Sequence, residues 1–98
     1  MKEASIAPSK ADQKMHDLAM LQSLASVNAM FGRMERAIDM LHLALWLAPR
    51  DPETMRLMAV FCYNDGRFEQ AASLVSAYEA TGKPMPKDLA LIKLRYTH

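Results

Sequence analysis

Histidine, cysteine and serine are the side chains of this sequence that could support chemistry, but their spacing does not favour it. His16, His42 and His98 are far apart, and none has a second ligand at the spacing that metal sites use. His16 is followed by Asp17, but the side chains of adjacent residues point apart on a helix. The serines form no recognisable triad with the histidines. The sequence therefore predicts no enzyme, no metal and no cofactor.

The cysteine and glycine positions lead to the same expectation. Cys62 is the only cysteine, so the chain can form neither an internal disulfide nor a thiolate metal cluster. No neighbour in sequence is placed to lower its pKa, and we expect a packed thiol rather than a nucleophile. The three glycines stand alone and form no phosphate-binding loop. A single cysteine also favours the reducing cytoplasm as the compartment.

The charge balance and the hydropathy argue against two kinds of partner. Twelve basic and eleven acidic residues give a net charge of +1, without the basic stripe that nucleic-acid binding requires. The longest uncharged run, Leu18 to Gly32, has fifteen residues, four of them polar, and is too short to span a bilayer. Met1–Lys10 lacks the apolar stretch of a signal peptide. For this single small domain we expect neither nucleic-acid binding nor membrane insertion.

Apolar residues recur at helical spacing along most of the chain, and no run alternates as a strand would. After a flexible lead over residues 1–10, the predicted helices are at about Ala11–Phe31, Met34–Leu47, Pro52–Asp65 and Phe68–Ala80, with a last helix from about Pro86. The apolar stripe of the first helix consists of Met15, Leu18, Leu21, Leu24 and Val27. The last helix places Leu89, Ile92 and Tyr96 on one face. The chain is therefore predicted to be all-α.

Two sets of residues near the helix ends admit two interpretations each. Trp46 either fills the gap between the two helical hairpins, which we favour, or stands exposed as an anchor on the convex side. Arg33, Arg36 and Arg67 lie near the predicted turns. They form a solvated face, or they dock an acidic partner.

A repeat of thirty-four residues is the strongest pattern in the sequence. The segment from Gly32 to Ala37, GRMERA, returns as GRFEQA from Gly66 to Ala71, and four of the six residues are identical. Upstream, Ala25 matches Ala59 at the same spacing. A fixed period of this length is typical of stacked helical hairpins.

In these residues the chain resembles the tetratricopeptide repeat, a family built from thirty-four-residue helix-turn-helix units. The matching positions are Leu21, Leu24, Ala25, Gly32, Ala37, Leu41, Ala44 and Pro49 in the first unit, and Met55, Met58, Ala59, Gly66, Ala71 and Val75 in the second. The resemblance implies one domain over residues 11–98 with repeats at 18–51 and 52–85. A capping helix at 86–98 completes a right-handed helical array. Tyr78, where the family prefers alanine, and the displaced Pro84 depart from the pattern.

The resemblance also implies a binding groove, because the first helix of each repeat lines the concave face in this family. Carried over by position, the candidate partner-binding residues are Gln22, Ser26, Ala29, Met30, Arg56, Val60, Tyr63 and Asn64. The carboxylate-binding members of the family have Lys and Asn where this chain has Gln22 and Ser26. A groove with this composition suits an amphipathic helix of a protein partner. The alternative is that these residues only pack against neighbouring helices.

The size and the methionine-rich composition are similar to those of the small tetratricopeptide export chaperones of bacterial type III secretion. That resemblance implies a cytoplasmic chaperone that covers an amphipathic or aggregation-prone segment of a small secretion-system protein. Nine methionines suit an adaptable binding surface. The alternative is a homo-oligomeric scaffold or adaptor without a chaperone role, in which the open ends of the short repeat stack associate as a homodimer.

Overall fold

A computed structural model of the chain describes residues 9–96. These residues form five helices and no strand: α1 (Lys10–Met30), α2 (Met34–Leu47), α3 (Pro52–Asn64), α4 (Phe68–Glu79) and α5 (Lys87–Tyr96). The all-α prediction is confirmed for the described residues, and the predicted boundaries of α1 to α4 differ from the observed ones by at most one residue.

The predicted flexible lead over residues 1–10 is too long at its C-terminal end. The Oγ of Ser9 accepts the amide of Asp12 at 3.1 Å and caps α1, so Lys10 is already helical. The rest of the predicted lead, residues 1–8, lies outside the described residues, as do residues 97 and 98 of the predicted capping helix.

Each of the first two pairs of helices is an antiparallel hairpin closed by the same turn. Gly32 and Gly66 have φ angles of +77° and +82°, a conformation that glycine adopts at low steric cost. The amide of the arginine after each glycine donates to the carbonyl oxygen five residues earlier. The acceptor is Asn28 in the first hairpin and Cys62 in the second, both at 2.8 Å. The two turns are therefore alike in hydrogen bonding as well as in sequence.

The core lies where the helices cross, and small residues allow the close approach. Ala25 and Ala59, thirty-four residues apart, are both fully buried. The same spacing relates three further buried pairs, Ala37 with Ala71, Leu41 with Val75 and Ala44 with Tyr78. Helix α3 is the centre of the structure, since it packs on α1, α2, α4 and α5.

Five predicted core positions are exposed. Trp46 is 86% exposed, so the prediction that it fills a gap between hairpins is wrong. In the predicted stripe of the first helix, Met15, Leu24 and Val27 are exposed and only Ala25 of α1 is buried, because a spacing of three residues drifts around the helix. Tyr96 is also exposed, since no described helix follows α5, whereas Leu89 and Ile92 are buried as predicted.

Candidate protein-binding groove

Three of the predicted groove residues line a cavity between α3 and α5, here called the α3–α5 cavity. Its volume is about 180 Å³, and its lining consists of Val60, Tyr63, Asn64, Asp88, Leu91, Ile92 and Arg95. Val60 and Tyr63 are half-buried, and their remaining surface faces this space. Leu91 is exposed on the opposite wall. The cavity thus has an apolar interior with polar groups at its edge.

Arg56, a fourth predicted residue, holds α5 against α3. Its guanidinium bonds to Glu53 at 2.7 Å and to Asp88 at 2.6 Å. Hydrogen bonding to Glu53, with a further contribution from Asp88, raises the pKa of Arg56 above its already high ordinary value. The arginine stays charged and occupied by two carboxylates, so it positions the cavity wall and is not a free anion site.

Tyr63 is held in the wall of the cavity by contacts at both ends of its side chain. Its hydroxyl accepts a hydrogen bond from Nη1 of Arg95 at 3.1 Å, which links α3 to the last turn of α5. The edge of its ring packs against Phe68, with 5.3 Å between the ring centroids. Because both contacts fix the ring, it presents a preformed apolar surface.

Gln22, predicted to face a ligand, instead joins α1 to the start of α3. Its Nε2 donates to Oδ2 of Asp51 at 2.9 Å and to the hydroxyl of Thr54 at 3.0 Å. Asp51 also accepts the amide of Thr54 at 2.9 Å, which makes it the predicted N-cap of α3. Thr54 is fully buried, so this network satisfies polar groups that would otherwise be costly to bury.

The other predicted residues on α1 do not line the α3–α5 cavity. Ser26 and Ala29 are half-buried, and Ala29 packs against the core. Met30 is 82% exposed at the end of the helix. The structure therefore brings Val60, Tyr63 and Asn64 together and separates them from the α1 positions.

Sequence reasoning missed the contribution of α5. Asp88, Leu91, Ile92 and Arg95 form one wall of the cavity, whereas α5 was expected only to cap the stack. The thirty-four-residue repeat could have indicated that these α5 residues face α3. These four residues lie thirty-four positions after buried or half-buried residues of α3, namely Thr54, Leu57, Met58 and Phe61.

A larger cavity lies elsewhere, between the start of α3 and the end of α4. Its volume is about 660 Å³, and its lining consists of Arg50, Pro52, Met55, Ala77, Ala80, Thr81 and Lys83. None of the predicted groove residues contributes to it. The two cations are its only charged groups, and no buried polar side chain points into it, so it lacks the convergent groups of a specific ligand site.

Cys62 is a packed thiol, as predicted. It is fully buried, and burial raises the pKa of the thiol above its ordinary value. Within residues 9–96, no group of three or more His, Cys, Asp or Glu side chains is close enough together to hold a metal ion. His98 lies outside that range.

In the part of the chain that the structure describes, no helix combines the length and apolar character needed to cross a membrane. Comparison with models of known protein families, with curated proteins and with solved structures found no match to this chain.

Proposed function

We propose that this chain is a short tetratricopeptide-type module, with two helix-turn-helix repeats and a capping helix in a right-handed array, that binds another protein. The support is the agreement of two independent features at the same thirty-four-residue spacing. One is the pair of identical turns at Gly32 and Gly66, and the other is the set of buried alanines where the helices cross. Modules of this type present surfaces and carry out recognition.

The α3–α5 cavity is the proposed docking site for an amphipathic helix of the partner. The observation that carries this proposal is the preformed apolar wall of Val60, Tyr63 and Leu91 around an open space. A space of roughly 150 Å³ accommodates a benzene ring, so a cavity of about 180 Å³ fits one large apolar side chain. Asn64 and Arg95 at its edge offer hydrogen bonds to the polar side of such a helix.

The biological role that fits this site best is that of a cytoplasmic chaperone for a small secretion-system protein, of the type III class. A small secreted subunit with an amphipathic helix self-assembles or aggregates when that helix is uncovered. One large apolar side chain of the helix fills the cavity, which holds the helix on the chaperone until export. Binding also stabilises the short helical stack by mass action, since the partner binds only the folded chain.

The test is purification of tagged chain from its native cells, followed by mass determination of the complex and by titration of the recovered partner. We expect one small protein in fixed ratio. Val60→Asp should weaken its binding at least about tenfold, since a charge in an apolar contact costs more than about 1.4 kcal/mol. Leu43→Asp, on an exposed apolar residue of α2, is the matched control and should bind normally. Equal binding by both variants, with intact helical content, would place the site elsewhere.

A homo-oligomeric scaffold is the second candidate, because α1 carries exposed apolar residues that another copy could cover. Sedimentation equilibrium of the isolated chain over a hundredfold range of concentration distinguishes the two. A chaperone without its partner gives the monomer mass of 11.0 kDa, whereas a scaffold gives a multiple of it.

A further inference from the structure

One side of α1 carries a continuous line of exposed apolar side chains, here called the outer face. It consists of Met20, Leu24, Val27 and Phe31, spaced by four, three and four residues, and all four are exposed. This spacing places them on a single side of the helix. Helix α1 meets α2 through Asn28, whose amide lies 3.6 Å from the sulfur of Met40, and it meets α3 through Gln22. The outer face is the remaining side.

The equivalent face of α3 shows that such a surface is buried where neighbouring helices are present. Thirty-four residues after Met20, Leu24 and Val27 come Thr54, Met58 and Phe61. Leu24 and Val27 are 44% and 46% exposed, whereas Met58 and Phe61 are 1% and 8% exposed. Helix α3 packs on α1 and α2 of the preceding hairpin, and Thr54, the first of these three residues, accepts a hydrogen bond from Gln22 of α1. In the described residues no helix precedes α1, so the same positions stay uncovered.

A charged residue at the end of the outer face also restricts which kind of partner fits this face. In the second hairpin, Nε of Arg67 pairs with Asp65 at 2.9 Å. In the first hairpin the residue equivalent to Asp65 is Phe31, and no carboxylate among residues 9–96 pairs with Arg33. An apolar residue thus replaces the acidic one, and the arginine is left to pair with a carboxylate from outside the described chain.

We propose that the outer face binds an amphipathic α-helix of a partner protein, in the place that α2 takes on α3. The bound helix lies antiparallel to α1, with aliphatic side chains over Leu24 and Val27. Its N-terminal turn is then beside Phe31 and supplies a carboxylate to Arg33, where an acidic residue is also favoured by the helix dipole. Helix α2 itself has both of these features, an apolar face and an acidic residue, Glu35, in its first turn.

An amphipathic helix with an acidic first turn matches both features of the outer face, its apolar line and the charge of Arg33, with which no carboxylate among residues 9–96 pairs. The line from Met20 to Phe31 is about 16 Å long and one helix diameter, roughly 10 Å, wide. It therefore offers on the order of 200 Å², far less than the about 800 Å² that each side of a stable protein–protein interface buries, so this face alone binds weakly. A partner that also fills the α3–α5 cavity gains from both surfaces. That combination rests on the proposed function, whereas the helix-binding property of the outer face does not.

The experiment uses the full chain with carbon-13 methyl labels on its methionines, and a synthetic unlabelled peptide of residues 34–48 as the helix probe. Met20 lies in the outer face, and Met58, at the position equivalent to Leu24, is buried, so the two methyl signals report docking and disruption separately. We expect the Met20 signal to shift saturably below about 1 mM peptide, a weak affinity that matches the small area. The Met58 signal should not move.

Two protein variants and one peptide variant make the result specific. Val27→Asp, at an exposed position, should weaken binding at least about tenfold. Val60→Asp in the α3–α5 cavity should leave the peptide affinity unchanged, so failure of the groove proposal is separate from failure of this one. A peptide with Glu35→Lys should bind about two- to threefold more weakly, as expected for loss of an exposed ion pair.

Four outcomes would overturn the proposal. An unmoved Met20 signal, or equal binding by Val27→Asp, shows that the outer face does not bind a helix. A shift of Met58 shows that the peptide replaces α2 and does not dock. A Met20 signal that moves with protein concentration alone shows that a second copy covers the face.

Discussion

The two helical hairpins share their turns and their small crossing residues, but they differ in how much apolar surface they bury. Helix α3 buries six of its 13 residues, whereas α1 buries only Ala25 among 21. Residue type alone does not explain the difference, since Met20 and Leu24 are exposed although they are at least as apolar as their counterparts Thr54 and Met58, which are buried. The number of neighbouring helices does, because α3 packs on four described helices and α1 on two.

This comparison shows that the repeat determines which side of a helix is apolar, whereas the neighbouring helices determine whether that side is buried. The same position is a core residue in one hairpin and a surface residue in the other, as Met58 and Leu24 are. An exposed apolar side chain at a position that is buried in the other hairpin is therefore a specific observation, unlike an isolated surface leucine. Matched substitutions in the two hairpins test this directly.

The largest difference is expected for Met58→Ala and Leu24→Ala. Removing the buried Met58 side chain should lower the free energy of unfolding by about 2–5 kcal/mol, through lost transfer energy and a cavity. Removing the half-exposed Leu24 should cost less, about 1 kcal/mol, since nearly half of its surface already contacts water. Urea unfolding followed by circular dichroism measures both values. Equal losses would mean that the outer face is covered in solution.

A second matched pair lies at the positions of Asp51 and Asp17. Asp51 caps α3 and bonds to Thr54 and Gln22, so Asp51→Ala should destabilise the fold by about 1–2 kcal/mol. Asp17, thirty-four residues earlier, lies inside α1 and accepts only an exposed hydrogen bond from Gln13 at 3.1 Å. Asp17→Ala should change stability by less than about 0.5 kcal/mol. The same urea titration compares them, and similar losses would show that the polar network at the start of α3 contributes little.

The sequence alone predicted the helices, the turns and the α3 cap, because each depends on local residues. Gly32 and Gly66 mark the turns by their backbone freedom, and Asp51-Pro52 marks a helix start by capping and a fixed φ angle. The thirty-four-residue spacing matched Ala25 with Ala59, the resemblance to the tetratricopeptide repeat implied that both lie where helices cross, and both are buried. Local physics and periodicity sufficed for these features.

The sequence alone could not predict which apolar residues have neighbours. Trp46 resembled a buried residue in type and position, but no helix covers it in the described chain. Gln22 was predicted to contact a partner, and the packing of α3 on α1 brings Asp51 and Thr54 to its amide. Both the exposure of Trp46 and the contacts of Gln22 depend on long-range packing, which a helical period does not encode.

The smallest expected difference concerns the two turn arginines, Arg67 and Arg33. Arg67→Gln removes the ion pair with Asp65, in which both side chains are about one-third exposed, and should cost no more than about 0.5 kcal/mol. Arg33→Gln removes no ion pair within the described residues and should leave the free energy of unfolding unchanged. The loss for Arg67→Gln should disappear in about 1 M salt, where the Debye length falls to about 3 Å. Urea titrations at low and high salt measure these values. A salt-dependent loss for Arg33→Gln in the isolated chain would show that Arg33 already has an acidic partner, which removes the charge argument for a helix on the outer face.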